Sequence, residues 1–406
     1  MHPSSYYIDL ESRYGAHNYH PIPAVIERAS GCEMWDVEGK KYFDFLSGYS
    51  AVNQGHCHPR IIKALQEQAA VLTLTSRAFY NNKLGEYQKF ITTLLGFDKM
   101  LPMNTGAEGV ETAIKLARRW AYAVKGIPEN KAKIVVCSEN FHGRTSTIIS
   151  FSTDPSSFSK FGPFMPGFEV ISYNDLNALE EKLNDENVAA FLFEPIQGEA
   201  GILVPDEGYL AGARQRCTAA NVLMIADEIQ TGLCRTGKML CCDHENVKPD
   251  ILILGKALSG GTIPISAILA NDEVMLTIKP GEHGSTFGGN PLASVVATIS
   301  LQVLIDEKMA ENAEQMGIRF REGLHKINSP FIKTIRGKGL MNAIVVDHPN
   351  KDAAWRLCER FKENGLLAKP THGDKIRFAP PLVINKSQLD EALGIIEQSL
   401  PVLEHC

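Results

Sequence analysis

Short runs of consecutive apolar residues recur through the middle of the chain, separated by amphipathic stretches. The runs lie at 133–137, 168–173, 189–194, 222–227, 251–254 and 265–270. Continuous rather than alternating apolar character is typical of strands that are buried on both faces. Helical patterns at 177–183 and 208–220 separate several of the runs. The sequence therefore predicts an α/β unit with a central, mainly parallel sheet.

The pattern changes after about residue 291. It predicts one long helix at 292–327, strand-like sequence at 334–346, a helix near 352–363, a short strand at 375–378 and a last helix at 386–400. Residues 1–52 hold few long periodic segments and are expected to lie across other parts of the structure. We therefore predict an N-terminal segment at 1–52, a large domain at 53–300 and a small C-terminal α/β domain at 301–406.

Composition narrows the class of protein. With 406 residues, 44% of them hydrophobic and 22% charged, the chain is an ordinary globular protein that is large enough for two units. A net charge of -6 offers no broad basic surface for nucleic acid. No stretch approaches the roughly 20 apolar residues of a membrane span, and the first residues resemble neither a secretory nor a mitochondrial leader. A cytoplasmic location is expected, with the mitochondrial matrix as the alternative if a presequence has been removed.

The nine cysteines are scattered and form no Cys-x-x-Cys pair, which favours a reducing compartment. The motif His56-Cys57-His58 contains metal-ligand side chains, but no second pair lies at ligand spacing. We interpret it as a turn leading to Pro59 and expect no metal site.

Three polar residues directly follow apolar runs, at the positions where the predicted strands end. They are Glu194, Asp227 and Lys256. Ligands of open parallel sheets gather at the carboxyl ends of the strands, so these side chains are candidates for chemistry. A structural ion pair at the sheet edge would account for the same spacing.

A further sequence element, upstream of these three residues, favours a cofactor site. Thr105 and Glu108 have capping-box spacing before a helical run, and Gly106 with Ala107 leaves the first helical N–H groups open to an anion. A phosphate cradle, a carboxylate and a lysine on one sheet edge are what pyridoxal phosphate requires, since it needs a Schiff-base lysine, an acidic partner for its ring nitrogen and a phosphate anchor.

Other cofactor and nucleophile motifs fit less well. The chain has no G-x-G-x-x-G for a dinucleotide and no G-x-S-x-G nucleophile elbow. The sequence around Lys256 only superficially suggests a P-loop, because Ala257 stands where Ser or Thr must bind magnesium and residue 250 is not glycine.

Ordered motifs along nearly the whole chain resemble the class III, fold-type I pyridoxal-phosphate aminotransferases, most closely those that act on ornithine. The motifs are YGAHNY at 14–19, NTGAE at 104–108, EPIQGEAG at 194–201, ADEIQTG at 226–232, GKALSGG at 255–261, GEHGST at 281–286, KPTHG at 369–373 and RFAPP at 377–381. The resemblance implies a ping-pong transfer of the δ-amino group of L-ornithine to 2-oxoglutarate, which gives glutamate-5-semialdehyde and L-glutamate.

The resemblance also implies how the cofactor is held. Lys256 would bind the aldehyde, and Asp227 would keep the ring nitrogen protonated. Phe141 would stack on the ring, and Gln230 would bind its phenolic oxygen.

Two pairs of residues would bind the phosphate. Gly106 and Ala107 would do so through backbone N–H groups, and Ser285 and Thr286 would reach it from the partner subunit. A homodimer with a shared active site is therefore expected.

For the substrates, the resemblance implies that Tyr19 and Arg144 hold the α-amino and α-carboxylate ends of ornithine while Tyr49 shapes the pocket. An arginine suits a carboxylate because its guanidinium donates two parallel hydrogen bonds. Arg377 would bind the α-carboxylate of 2-oxoglutarate. Glu199 would mask Arg377 during the ornithine half-reaction, although a simple buried ion pair is the alternative.

The chain differs from the family pattern at two positions. Ala107 stands where valine is frequent, and His142 stands where some relatives have tryptophan.

Enzymes acting on acetylornithine, 4-aminobutyrate or a related ω-amine are the nearest rival interpretations. A non-catalytic scaffold is the rival from another class, and the joint presence of Lys256, Asp227 and Gln230 speaks against it.

Overall fold

The computed structural model describes residues 2–405. Its strands are β1 (Ile26–Ser30), β2 (Glu33–Asp36), β3 (Lys41–Asp44), β4 (Lys99–Met103), β5 (Lys133–Cys137), β6 (Phe168–Ile171), β7 (Val188–Phe193), β8 (Leu223–Asp227), β9 (Ile251–Leu254), β10 (Ser266–Ala270), β11 (Ile332–Lys338), β12 (Met341–Val346), β13 (Leu366–Leu367), β14 (Lys369–Thr371) and β15 (Lys375–Phe378).

Its helices are α1 (Ser4–Tyr14), α2 (Ser47–Ser50), α3 (Pro59–Ala69), α4 (Leu84–Leu95), α5 (Gly106–Trp120), α6 (Ser146–Ile149), α7 (Pro155–Phe158), α8 (Leu176–Leu183), α9 (Tyr209–Ala219), α10 (Asp272–Met275), α11 (Pro291–Asp306), α12 (Met309–Lys326), α13 (Ala353–Glu363) and α14 (Lys386–Ser399). Among residues 2–405, no helix is both long and apolar enough to cross a lipid bilayer.

The central sheet has seven strands in the order β4-β10-β9-β8-β7-β5-β6. The strand pairs from β9 to β6 are parallel, and β10 runs antiparallel to both of its neighbours. Every residue of β7, β8 and β9 is buried, because helices cover both faces of the sheet. The mainly parallel α/β sheet predicted from the apolar runs is confirmed.

Helix α5 fixes one boundary of the cavity at this sheet edge. Thr105 caps it, and the Thr105 and Glu108 side chains form a reciprocal capping box. The helix packs closely on the sheet: a Cβ added to Gly109 would lie 3.0 Å from a side-chain carbon of Ile253. The helix therefore begins next to the carboxyl ends of β8 and β9.

A second sheet, in the order β11-β12-β15-β14, forms the core of the C-terminal part. Its strand pairs are all antiparallel. Phe320 of α12, Phe361 of α13 and Phe378 of β15 are fully buried and pack ring against ring. This sheet carries Arg377 to the cavity.

Arg235 is fully buried and joins three distant segments. Its Nη1 donates to the carbonyls of Leu340 at 3.0 Å and Pro380 at 2.6 Å, and its Nη2 donates to Asn53 Oδ1 at 2.6 Å. The segment after Tyr49 and the segment after Arg377 are thus held by one guanidinium.

One sequence expectation needs correction. The single helix predicted at 292–327 is two helices, α11 and α12, because Lys308 adopts a left-handed conformation with φ of 51° between them. The N-terminal segment contains three strands, and β3 pairs in parallel with β13. Residues 1–52, 53–300 and 301–406 stay a predicted division of the chain, and α11 crosses residue 300.

The His56-Cys57-His58 motif precedes α3, which begins at Pro59. His56 Nε2 lies 2.7 Å from Asp44 Oδ2, and His58 Nε2 lies 3.0 Å from Glu307 Oε1. The two imidazoles are therefore bound to carboxylates from different parts of the chain.

Candidate active site

A cavity of about 180 Å³ lies at the carboxyl ends of β7, β8 and β9. Its lining includes seven of the side chains that the sequence predicted, namely Gly106, Ala107, Phe141, Glu199, Asp227, Gln230 and Lys256. His142, Glu194 and Thr231 also line it. Residues that are up to 150 positions apart in the chain thus meet at one sheet edge.

Asp227 ends β8 and is 5% exposed. Its Oδ1 accepts a hydrogen bond from the N–H of Ile229 at 3.1 Å, and its Oδ2 lies 2.7 Å from His142 Nδ1. Burial works to lower the pKa of His142, but the hydrogen bond to Asp227 and the nearby carboxylate of Glu194 raise it above its usual value. Asp227 is thereby held in one orientation as a hydrogen-bond acceptor.

Glu194 follows β7 and is buried beside this pair. Its carboxylate accepts from the N–H groups of Phe141 at 2.8 Å and Gly198 at 3.3 Å. Burial raises the pKa of Glu194 to about 7. The side chain joins the loop that carries Phe141 to the loop that carries Glu199.

Lys256 begins a short 3₁₀ helix, Lys256–Ser259, directly after β9. Its φ of 44° lies in the left-handed region, which is uncommon for a long side chain and is a form of strain found at functional sites. Burial lowers the pKa of Lys256 below its usual value, against the nearby carboxylates of Glu199 and Asp227. Within residues 2–405, its Nζ makes no hydrogen bond or ion pair, so the amine is available for chemistry.

The first turn of α5 faces the same cavity through Gly106 and Ala107. A Cβ added to Gly106 would lie 3.0 Å from Ile229 Cδ1, so a larger residue would press on the segment that follows Asp227. The first N–H groups of a helix have no partner within the helix and carry a partial positive charge. This end of α5 can therefore bind a phosphate.

Phe141 and Gln230 both line the cavity. A Cβ on Gly198 would lie only 1.5 Å from Gln230 Oε1, so glycine is required for Gln230 to occupy this position. Gln230 also lies close enough to Glu199 to contribute to lowering the pKa of that carboxyl group.

Glu199 and Arg377 form an ion pair, with Arg377 Nη1 donating to Glu199 Oε1 at 2.5 Å. The Arg377 side chain is 7% exposed, and its Cζ lies 5.0 Å from the ring centroid of Tyr49. Burial raises the pKa of Glu199, but Arg377 lowers it, and the pKa lies below its usual value. Tyr49 itself lies in a left-handed turn with φ of 61°. The guanidinium is covered by one carboxylate and one aromatic ring.

Tyr19 and Arg144 lie at the outer part of this region. Arg144 is exposed, and its Cζ lies 5.8 Å from the Phe141 ring centroid. Tyr19 is 68% exposed, and Lys369 Nζ lies 5.9 Å from its ring centroid. Burial raises the pKa of Tyr49, and both Tyr19 and Arg144 act on it electrostatically, so the three side chains are neighbours.

Ser285 and Thr286 do not line the cavity of their own chain. Ser285 Oγ accepts from Asn104 Nδ2 at 2.7 Å and from the N–H of Gly288 at 3.3 Å, and Thr286 is exposed. The structure of one chain therefore leaves these two predicted phosphate ligands outside the site.

The family model for class-III aminotransferases matches residues 14–400. The chain belongs to this family. A rat protein named mitochondrial ornithine aminotransferase is 61% identical over 399 residues, which cover 98% of this chain and 91% of that protein. A Drosophila melanogaster protein with the same name is 61% identical over 390 residues, 96% of this chain and 90% of that protein.

Solved structures of class-III aminotransferases share the fold. A Toxoplasma gondii ornithine aminotransferase has a TM-score of 0.97 at 50% identity, covering 100% of this chain and 96% of that one. An acetylornithine aminotransferase from Elizabethkingia anophelis has a TM-score of 0.91 at 57% identity, covering 98% and 99%. This class-III aminotransferase is a fold-type I, pyridoxal-phosphate-dependent transaminase, which confirms the resemblance read from the motifs.

The residues of the cavity fit the cofactor of this class-III aminotransferase. A lysine amine without a partner among the described residues, a buried aspartate and an open helix N-terminus meet around one cavity. These are the donor types that pyridoxal phosphate requires.

Sequence reasoning missed part of the site. His142 drew attention only as a difference from relatives, and its contact with Asp227 was not anticipated. Glu194 was noted as a residue at a strand end but received no role. Both are polar side chains on segments that follow buried strands, and this position was the signal that could have assigned them.

Proposed function

We propose that this class-III aminotransferase transfers the δ-amino group of L-ornithine to 2-oxoglutarate, giving glutamate-5-semialdehyde and L-glutamate in a ping-pong reaction. The observation that carries this proposal is the Glu199–Arg377 pair beside Tyr49 at the cavity. Such an enzyme must bind ornithine with its α-carboxylate away from Arg377, and it must then bind the dicarboxylate 2-oxoglutarate. An arginine that is paired with a glutamate in the first step and released in the second meets both needs. The names of the rat and fruit-fly relatives support the same substrate.

On the cofactor side, pyridoxal phosphate supplies an electron sink for the carbon that carries the transferred amine. Lys256 would hold it covalently, and Asp227, oriented by His142, would keep its ring nitrogen protonated. Phe141 would pack on the ring, and Gln230 would hydrogen-bond its phenolic oxygen. The phosphate would be bound by the N–H groups of Gly106 and Ala107 at the N-terminus of α5.

Lys256 would also act as the general base that removes a proton from the substrate. Its lowered pKa increases the neutral fraction of the amine near neutral pH, which a general base requires. The amine would remove a proton from the δ-carbon of ornithine.

On the substrate side, Tyr19 would bind the α-amino group of ornithine and Arg144 its α-carboxylate, while Tyr49 limits the width of the pocket. These three groups lie farther out than Lys256, so a bound ornithine would extend its δ-amino group inward. The Glu199 carboxylate would neutralise Arg377 during this half-reaction and so remove the competing site for the α-carboxylate.

In the second half-reaction, 2-oxoglutarate would place its α-carboxylate on Arg377. The carboxylate of Glu199 must then leave the guanidinium. A dicarboxylate favours this exchange because Arg144 would bind its second carboxylate, which an α-amino acid with a neutral side chain lacks.

A homodimer with a shared site is part of this proposal. Ser285 and Thr286 lie on a loop outside the cavity of their own chain, and the adjoining Phe287 is a large apolar side chain that is 57% exposed. A partner subunit would cover this loop and bring both hydroxyl groups to the phosphate. Sedimentation velocity should give a dimer, and the double variant S285A/T286A should bind pyridoxal phosphate more weakly than the parent.

Acetylornithine is the rival substrate, because the Elizabethkingia anophelis structure at 57% identity carries that name. A steady-state panel would decide between the two. A kcat/KM for acetylornithine clearly above that for ornithine would overturn the proposed substrate.

The direct test of the proposed function separates the two half-reactions. Ornithine alone, mixed with the enzyme loaded with pyridoxal phosphate, should convert the cofactor absorbance to that of its aminated form, and 2-oxoglutarate should then restore it. A spectrum unchanged by ornithine would overturn the proposal.

We infer a cytoplasmic location from the sequence; the rat and fruit-fly relatives are named as mitochondrial.

A further inference from the structure

Strand β14, part of the KPTHG motif, lies against the strand that carries Arg377. In this antiparallel pair Lys369 stands opposite Arg377, and Thr371 stands opposite Lys375. Directly opposed residues of such a pair project to the same face, with Cβ atoms about 4.5–5.5 Å apart. Lys369 is therefore the immediate neighbour of the arginine that Glu199 masks.

The same strand also contacts the other groups of the substrate side. Thr371 Oγ1 donates a hydrogen bond to the carbonyl of Glu199 at 2.9 Å. Lys369 Nζ lies 5.9 Å from the ring centroid of Tyr19. One short strand thus fixes the backbone of Glu199 and places a second cation beside the Glu199–Arg377 pair.

The charges in this region do not balance. Lys369 and Arg377 are two neighbouring cations, and the single carboxylate of Glu199 is paired with Arg377 alone. Within residues 2–405, Lys369 Nζ makes no hydrogen bond or ion pair, although the side chain is half-buried. Burial and Arg377 lower the pKa of Lys369, and Glu199 raises it, so this amine is close enough to sense both members of the pair.

We propose that Lys369 is the second partner of Glu199. When the α-carboxylate of 2-oxoglutarate binds Arg377, the displaced Glu199 carboxylate moves to Lys369. A carboxylate displaced from an arginine in a half-buried site needs another cation or water, because an unpaired charge there is unfavourable. Lys369 supplies that cation on the same sheet face. It is a specificity residue for the second half-reaction, and this role rests on the proposed function.

The inference is tested by measuring the two half-reactions separately in the holoenzyme. Lys369→Met should raise the apparent dissociation constant for 2-oxoglutarate about tenfold, since a charge-assisted contact is lost, while the ornithine half-reaction changes less than about twofold. Lys369→Arg should restore 2-oxoglutarate binding. Lys351→Met, which removes an exposed lysine of the same C-terminal part, should change neither half-reaction.

A non-reacting dicarboxylate gives a readout that does not depend on turnover. Glutarate binding to the aminated holoenzyme, measured by calorimetry, should weaken about tenfold in Lys369→Met. In a Glu199→Gln background the same lysine substitution should have no further effect, because no carboxylate remains to be received.

Three outcomes would overturn the inference. Equal losses in both half-reactions would mark Lys369 as merely structural, and unchanged 2-oxoglutarate binding would remove its role. A loss that persists undiminished in the Glu199→Gln background would mean that Lys369 touches the substrate directly instead of receiving Glu199. A parent enzyme that reacts with 2-oxoglutarate but not with ornithine would instead overturn the proposed function, and this inference with it.

Discussion

Within one chain, the residues proposed to hold the cofactor come from one continuous part, residues 104–256, whereas those proposed to bind the substrates include residues as far apart as Tyr19 and Arg377. The first group follows the strands of a single sheet, whose order brings the strand ends together. The second group depends on contacts between the N-terminal segment and a different sheet. Local pattern therefore determines where the proposed cofactor residues lie, and long-range packing assembles the proposed substrate residues.

The two sides also differ in exposure and charge. Asp227, His142 and Glu194 are buried and hydrogen-bonded to one another or to backbone N–H groups. Tyr19 and Arg144 are exposed, and the main fixed contact of the substrate side is one ion pair. A buried network holds one geometry, whereas a single exchangeable pair can take two. This difference suits a cofactor that stays and two substrates that alternate.

The largest effect is expected from removing the amine on the cofactor side. Lys256→Ala should lower kcat by about 10⁴-fold or more, because covalent anchoring and proton transfer are lost together. Stopped-flow absorbance with ornithine measures it. Lys131→Ala, at an exposed position, should retain the parent rate. Turnover of Lys256→Ala at the parent rate would contradict the assignment of this residue.

A change on the substrate side should alter selectivity and leave the cofactor spectrum intact. Glu199→Gln unmasks Arg377, so ornithine competes for that guanidinium in the wrong orientation. We expect kcat/KM for ornithine to fall about 10- to 100-fold, while the half-reaction with glutamate is maintained. Equal losses for ornithine and glutamate would show that Glu199 does not discriminate between them.

A milder change tests how Asp227 is held. His142→Asn keeps an N–H donor near Asp227 but cannot carry charge, and kcat should fall about tenfold or less. The raised pKa of His142 means that its contribution to stability is fully present below about pH 6.5, the unfolded value, and is lost as pH rises through the folded value.

Thermal unfolding of the parent and His142→Asn across pH 6 to 9 measures that contribution. The difference between the two proteins should be largest at pH 6 and shrink as pH increases. A difference that grows with pH would mean that the imidazole is neutral in the folded protein.

The smallest effect is expected at the cap of α5. Thr105→Ala removes the acceptor for the N–H of Glu108, 3.2 Å away, and should lower the free energy of unfolding by about 1 kcal/mol. Urea unfolding measures it. Thr93→Ala, at an exposed position inside α4, is the matched control and should have little effect. A cofactor affinity lowered a thousandfold by Thr105→Ala would mean that the cap does more than stabilise the helix.

The sequence predicts, for a physical reason, that the residues proposed to hold the cofactor meet at the carboxyl edge of the central sheet. Strands such as β7 and β9 are uniformly apolar because both of their faces are buried, and the first polar residue after each marks the sheet edge. The cap at Thr105 follows from residue types at fixed spacing. The seven-strand order and the antiparallel direction of β10 do not follow from composition, because they depend on pairing between distant segments.

The substrate side could not be predicted without the family resemblance. Tyr19 and Arg144 carry no local signal that separates a ligand-binding side chain from an ordinary surface residue. The break at Lys308 has no glycine or proline to mark it, since lysine rarely adopts the left-handed conformation seen there. The contact between Asp227 and His142 joins residues 85 positions apart, and only the folded chain brings them together.

The pairing of β3 with β13 has a consequence for synthesis of the chain on the ribosome. Leu366–Leu367 completes the sheet that begins at Ile26, and Arg377 emerges later still. A nascent chain that has reached residue 270 contains every strand of the central sheet but lacks the partner of β3 and the masked arginine. Under the proposed function, such a chain would already contain the side chains for the ornithine half-reaction but not the arginine that receives the dicarboxylate, so the second half-reaction is acquired at the end of translation.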